Sequence, residues 1–228
     1  MNVTQLIAKS NLAANGKATT LAASSPRYVQ FLAIANMLQD DWLSEPGIQW
    51  NSRYERLSLG TITSDRVSLD EDIYEFSKRE DDYITIVSPT DPKSLAYFSL
   101  VSADELRRYQ NTTTCAIIGD ELVFAKTFLT DDSYYGGEVI VPVIMKLDPL
   151  VNPNDEVLVD DPNWLAYMTA AERVRNTVTK IGQYPALVQK ANNLMVKMRE
   201  KNDGQINTIP LYNSVLGETF NNDWGYNS

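Results

Sequence analysis

The sequence predicts an α+β protein in which helices from both chain ends build a bundle scaffold around an inserted β-module, small and either sandwich-like or barrel-like, with an extended C-terminal arm. Three observations predict it. Helical spacing and capping signals cluster in residues 1–46 and 150–204, residues 47–149 break into short β-branched and aromatic runs, and residues 205–228 follow neither period yet keep their aromatic side chains.

Residues 2–15 read as a short helix with Val3, Leu6, Ile7 and Leu12 near one face. A Ser/Thr/Ala/Gly-rich connector, 16–25, leads to Ser24-Ser25-Pro26, an N-cap followed by a first-turn proline. Val29, Leu32, Ile34 and Leu38 then recur at helical spacing until Glu45-Pro46-Gly47 stops the run.

Six segments read as strands: Tyr54–Thr63, Tyr83–Ser88, Leu95–Val101, Cys115–Gly119, Leu122–Lys126 and Glu138–Lys146. Turn residues bound each one, and Gly119-Asp120 between two apolar runs predicts a tight hairpin. Gly136-Gly137 reads as a second hairpin turn. Ser102-Ala103-Asp104-Glu105 has the spacing of a capping box, which opens a helical turn through Tyr109.

Helix returns at Asp161-Pro162, a cap and a first-position proline, followed by Trp164, Met168, Ala171 and Val174. After a break at Gly182, Tyr184, Leu187, Val188, Ala191, Leu194, Met195 and Met198 form an apolar stripe ending near Asn202-Asp203-Gly204. Helices joined so tightly are expected to pack as an antiparallel hairpin. Beyond them the arm carries Leu211, Tyr212, Phe220, Trp224 and Tyr226, a set of anchors suited to another protein surface.

Composition narrows function mainly by what it excludes. The chain has no histidine, which removes serine triads, Cys-His dyads and imidazole-based metal sites. Thirty acidic against twenty basic residues leave a net charge of −10, which opposes the counterion release that drives tight binding to duplex DNA. The single cysteine, Cys115, cannot form an internal disulfide and lies in an apolar run, where it reads as a small buried hydrophobe suited to a reducing compartment. No stretch reaches the roughly 20 apolar residues that span a bilayer, and Met1–Lys9 lacks the features of a signal peptide.

The remaining chemistry is weak. The glycines form no phosphate-cradling pattern, and the acidic runs Asp70-Glu71-Asp72 with Glu75, Glu80-Asp81-Asp82 and Asp131-Asp132 lack the alternation of a calcium loop. They read as solvated faces, so no metal or cofactor is expected. Cys115, Lys180 and Lys190 are conceivable nucleophiles without a recognisable partner. Trp42, Trp50 and Tyr54 suit either an aromatic ligand shelf or the packing of helices onto the β-module. No catalytic residues emerge, and the chain reads as a structural protein and not an enzyme.

Three stretches carry a family resemblance. They are Asp72-Ile73-Tyr74-Glu75-Phe76 leading to Asp82-Tyr83-Ile84-Thr85-Ile86-Val87; Asn152-Pro153-Asn154-Asp155-Glu156 running to Asp160-Asp161-Pro162; and Trp164–Glu172 with Tyr184-Pro185 and Ala191–Met198. In layout and in these letters the chain resembles the head-to-tail adaptor (connector or neck) proteins of tailed bacteriophages, the short-tailed type especially. The resemblance implies a virion protein made in the host cytoplasm and placed at the neck. Its partners would be the portal protein, a tail or nozzle protein and copies of itself in a ring of about twelve. DNA would pass through without specific binding, and the arm would hold the portal or a neighbouring subunit. Another neck, tail-completion or collar protein has the same layout. A carboxylate-based enzyme and a small-ligand module on the β-domain are the readings from other classes.

Overall fold

In the computed structural model of the chain, the described residues are 1–17, 19–79, 82–108, 113–125 and 134–208, with backbone alone for 204–208. They form a mixed α+β fold with five α-helices and a nearly closed, barrel-like sheet. No described helix is long and apolar enough to cross a membrane.

Helix α1 spans Val3–Asn15 and α2 spans Pro26–Leu43. Asn2 and Gln5 cap α1 reciprocally, and the Ser25 hydroxyl accepts from the Tyr28 amide (3.2 Å) at the start of α2. The apolar faces are phased differently from the expectation. In α2 the core takes Tyr28, Phe31, Ala35, Leu38, Trp42 and Leu43, while Val29 is exposed. Leu12 of α1 is likewise exposed. The large aromatic side chains set the buried face of α2, because they remove the most apolar area from water.

Eight strands follow: β1 Tyr54–Thr61, β2 Arg66–Ser68, β3 Ile73–Phe76, β4 Ile84–Val87, β5 Leu95–Leu100, β6 Thr114–Ile118, β7 Glu121–Phe124 and β8 Glu138–Met145. They form one continuous sheet in the order β1-β8-β4-β5-β6-β7-β2, so the module is barrel-like and not a two-sheet sandwich. β3 pairs with β8 beside this path. The hairpin at Gly119-Asp120 joins β6 to β7 with Ile118 opposite Glu121, and Gly119 takes the left-handed conformation (φ 69°) that the turn demands.

The α3 helix, Ala103–Arg108, opens on the Ser102/Glu105 capping box. It lies between β5 and β6, which makes that pair parallel, since parallel neighbours need a crossover. Tyr109 lies outside the described residues. Inside the barrel, Ile62, Ile86, Phe98, Leu122, Phe124, Val139, Val141 and Val143 form the core, with the Phe98 and Phe124 rings edge to face at 5.0 Å.

Two strands, β2 and β3, had no sequence signal, and one turn was misread. Gly136-Gly137 leads into β8 but joins no hairpin, because β7 and β8 are not neighbours. Gly137 is needed for space: a Cβ there would lie 2.8 Å from Ile86 Cγ2, 2.9 Å from the Tyr134 carbonyl oxygen and closer still to that of Val87.

Helix α4, Pro162–Arg175, and α5, Tyr184–Thr208, close the described chain. Asp161 caps α4 by accepting from the Asn163 amide at 2.8 Å. The two helices run antiparallel: the Asp161 amide reaches Met198 Sδ, while Arg175 at the other end stacks on the Tyr184 ring. α5 continues through Gly204 to Thr208, past the expected stop. α4 also packs on α1 and α2, and a single apolar cluster joins α1, α2, α4 and α5 with Ile144 of β8.

Gly137→Ala is expected to destabilise the fold by about 2 kcal/mol or more, from overpacking against backbone that cannot yield. Gly182→Ala, where a Cβ would meet nothing within 4 Å, is the control and is expected to stay within about 0.5 kcal/mol of wild type. Urea denaturation of both variants checks this.

Candidate functional site

The clearest concavity with converging polar groups lies where helices meet sheet. A cleft of about 410 Å3 opens between the end of α2, strand β3 and the α5 residues Asn202 and Asp203. The Glu45-Pro46-Gly47 turn forms one wall, and Tyr74, Glu75 and Lys78 form another.

Its floor is a chain of amide hydrogen bonds. The Asn51 amide donates to Asn202 Oδ1 at 2.7 Å, and Asn51 Nδ2 donates to the Asn202 carbonyl at 2.7 Å. Asn202, 2% exposed, returns a bond from Nδ2 to the Gln49 carbonyl at 3.2 Å. Gln49 Nε2 then donates to Glu75 Oε1 at 3.1 Å and to the Phe76 carbonyl at 3.3 Å, while its Oε1 accepts from the Lys78 amide at 3.0 Å. Gln49 thus links α5 to β3.

The charged groups are also engaged. Lys78 pairs with Glu75 at 2.7 Å, and Arg199 pairs with Glu45. Burial pushes the Glu75 carboxyl up, but hydrogen bonds from Lys78 and Gln49 outweigh it and hold it below the ordinary glutamate value. Arg79 donates to Asn51 Oδ1 and lies over the Tyr54 ring at 4.3 Å. Asp82 accepts from the Tyr54 hydroxyl at 2.8 Å and from Ser77, with Arg56 at 3.8 Å. Burial raises the Tyr54 hydroxyl, and the Asp82 carboxylate beside it contributes in the same direction.

Beneath the cleft, Trp42 and Trp50 stack at 4.6 Å and 19°, both fully buried, with Trp50 Nε1 donating to the Trp42 carbonyl at 2.7 Å. The pair is therefore core, and the open ligand shelf is overturned. The other candidates have structural surroundings. Cys115 is fully buried, and burial pushes its thiol up to about 12. Lys180 binds the Ala14 carbonyl (3.2 Å) and Asn15 at the end of α1, and Lys190 lies 5.6 Å above the Tyr167 ring.

In the acidic run 70–72, Asp70 Oδ1 accepts from the Asp72 amide at 2.9 Å, and Lys146 bonds to the Glu71 carbonyl. Among the described residues, no three His, Cys, Asp or Glu side chains are grouped to hold a metal ion. Glu80, Asp81, Asp131 and Asp132 lie outside the described residues, as do the arm anchors Leu211, Tyr212, Phe220, Trp224 and Tyr226. Sequence reasoning missed Gln49, Asn51 and Asn202. Amide side chains 151 residues apart leave no local pattern to find. Compared with known proteins, the chain matches no family model and no curated protein sequence.

What this arrangement does chemically is clasp the helices to the sheet. Asn202→Ala would leave the Asn51 amide and the Gln49 carbonyl without these partners, and an expected loss of about 2 kcal/mol is readable by urea denaturation. Cys115 in the folded chain is expected to resist a thiol reagent at pH 8 and to react fully in denaturant, which a timed thiol assay checks.

Proposed function

We propose that this chain is a virion structural protein, a subunit of the head-to-tail adaptor ring between portal and tail in a tailed bacteriophage. In this reading, residues 1–46 and 150–204 act as one helical scaffold, 47–149 as an inserted β-module and the following segment as an arm. The observation that carries it is the antiparallel α4–α5 pair, whose α4 packs on α1 and α2, because the most distinctive letters of the family resemblance fall on that pair.

Physical support comes from the outer faces of the same helices. Leu12 of α1, Val29 and Met37 of α2 and Val196 of α5 are all exposed, a spread of apolar area suited to neighbours on either side. A closed ring is built from heterologous contacts, so each subunit needs two different complementary faces. Gln49, Asn51, Glu75, Lys78 and Asn202 of the junction cleft are occupied in holding the chain together, which favours a rigid building block over a site that turns over substrate. A net charge of −10 suits a wall past which DNA slides without being retained.

The arm would extend this block to its neighbours. Since α5 runs through Thr208, removal of residues 209–228 is expected to spare the fold and to abolish attachment to portal rings. Co-sedimentation with portal rings of the same phage, followed by cryo-EM of the pellet, tests both statements. Stoichiometric binding by the truncated chain would sink the role of the arm. Failure of the full chain to bind portals, with attachment to tail or collar components instead, would move it to another virion position.

A further inference from the structure

Charge is distributed unevenly along the chain. Nine of its twenty basic residues but only three of its thirty acidic ones fall in residues 1–17 and 162–203, the stretches that hold α1, α4 and α5. On α5, Lys190, Lys197 and Lys201 follow one stripe at positions i, i+7 and i+11, and all three are exposed. Lys9 of α1 joins them across α4: its Nζ lies 5.9 Å from the centre of the Tyr167 ring, and that of Lys190 lies 5.6 Å from the same ring. Leu12, three residues along α1 from Lys9, is exposed on that side of the helix. Among the described residues, none of these four lysines is in an ion pair. Arg199 turns to another side of α5 and pairs there with Glu45.

Helix α2 carries the complement. Val29, Ala33, Met37 and Asp41 recur every four residues on its outer face with Asp40 alongside, and all five are exposed. Asp40 and Asp41 fall in the last turn, where the negative end of the helix dipole disfavours carboxylates. Among the described residues neither is in an ion pair, and Arg27, the only base of α2, is at its other end. A partner that brings cations and apolar area would relieve both the carboxylates and the stripe. We propose that this partner is a second copy of the chain. The α2 stripe of one copy packs on the α1 and α5 face of the next, with its apolar residues toward Leu12 and with Asp40 and Asp41 toward the lysines. Two copies of net charge −10 repel over most of their surfaces, so association is confined to where one offers lysines and the other carboxylates. The contact joins two different faces, which leaves one face of each copy open for a further one and closes into a ring or continues as a filament. It rests on the reading of the chain as a ring subunit and names the surfaces that ring would use.

The test is light scattering of the full chain, without portal, at high micromolar concentration and low ionic strength. Lys190→Glu/Lys197→Glu reverses the α5 face, and Asp40→Lys/Asp41→Lys reverses the α2 stripe. Lysine in a last turn suits the helix dipole, so the second variant is expected to match or exceed wild type in urea, and its loss of association is then not unfolding. Wild type is expected to exceed the mass of a dimer and to dissociate as salt is added. Either reversal is expected to weaken association about tenfold or more, and the chain with all four substitutions to recover it to within about threefold of wild type. A wild-type chain that stays monomeric or stops at a dimer would overturn the proposal. So would a reversal without effect, or a four-substitution chain that fails to recover. Charge-dependent association in a chain that binds no portal ring would keep this contact and remove only the adaptor reading.

Discussion

The structure depends on one strand that, past the exposed Glu138, has no solvent face. β8 turns Val139, Val141 and Val143 into the barrel and Ile144 into the helical core, while β1 borders one edge and β4 and β3 divide the other. A strand buried on both sides must be apolar throughout, and Val-Ile-Val-Pro-Val-Ile-Met is. This composition creates a difficulty. Alternation of polar and apolar side chains normally forbids a one-residue slip, but here either register would bury apolar groups. The register is set instead by steric stops. Gly137 passes too close to Val87 for any side chain, and Pro142 sits where β3 gives way to β4. Its carbonyl accepts from the Ser77 amide, and its missing N–H falls at that seam, where no ladder bond is lost.

The junction beside β8 combines two kinds of contact with different consequences. Complete burial of the stacked Trp42 and Trp50 contributes on the order of 3 kcal/mol per ring, more than any single bond of the Asn202–Asn51–Gln49 clasp at about 1 kcal/mol. Apolar burial therefore supplies most of the adhesion between helices and sheet. It is poor at fixing direction, because stacked rings slide at little cost. The amide bonds are directional and costly to leave unmade, so they set the angle at which the barrel stands on the helices.

Local chemistry was legible in the sequence. Ser25-Pro26, Asp161-Pro162 and the Ser102/Glu105 box each act within one helical turn, and each opens a helix where its letters say. Six strands were legible because β-branched runs bounded by turns need no knowledge of their partners. β2 and β3, three and four residues long, exist only because β7 and β8 offer them edges. The phase of α2 was misread for a similar reason: Val29 and Phe31 both suit a helix, and only the packing of α4 decides which faces inward. At the candidate site, Trp42 and Trp50 were visible as residues but not as a stack, and the amide clasp had no signal at all.

The sheet lies between α2 and α4 in the chain, yet one apolar cluster joins those helices. Its first strand and its last are direct neighbours, with Tyr54 opposite Ile144, so the chain returns almost to the point at which it left. The return is then fastened. The Leu150 amide donates to Asn36 Oδ1 at 2.8 Å, and Asn36 Nδ2 donates to the Leu150 carbonyl at 3.0 Å, aligning the chain for α4. Loop-closure cost rises only with the logarithm of length, and a module that brings its own ends together removes most of it.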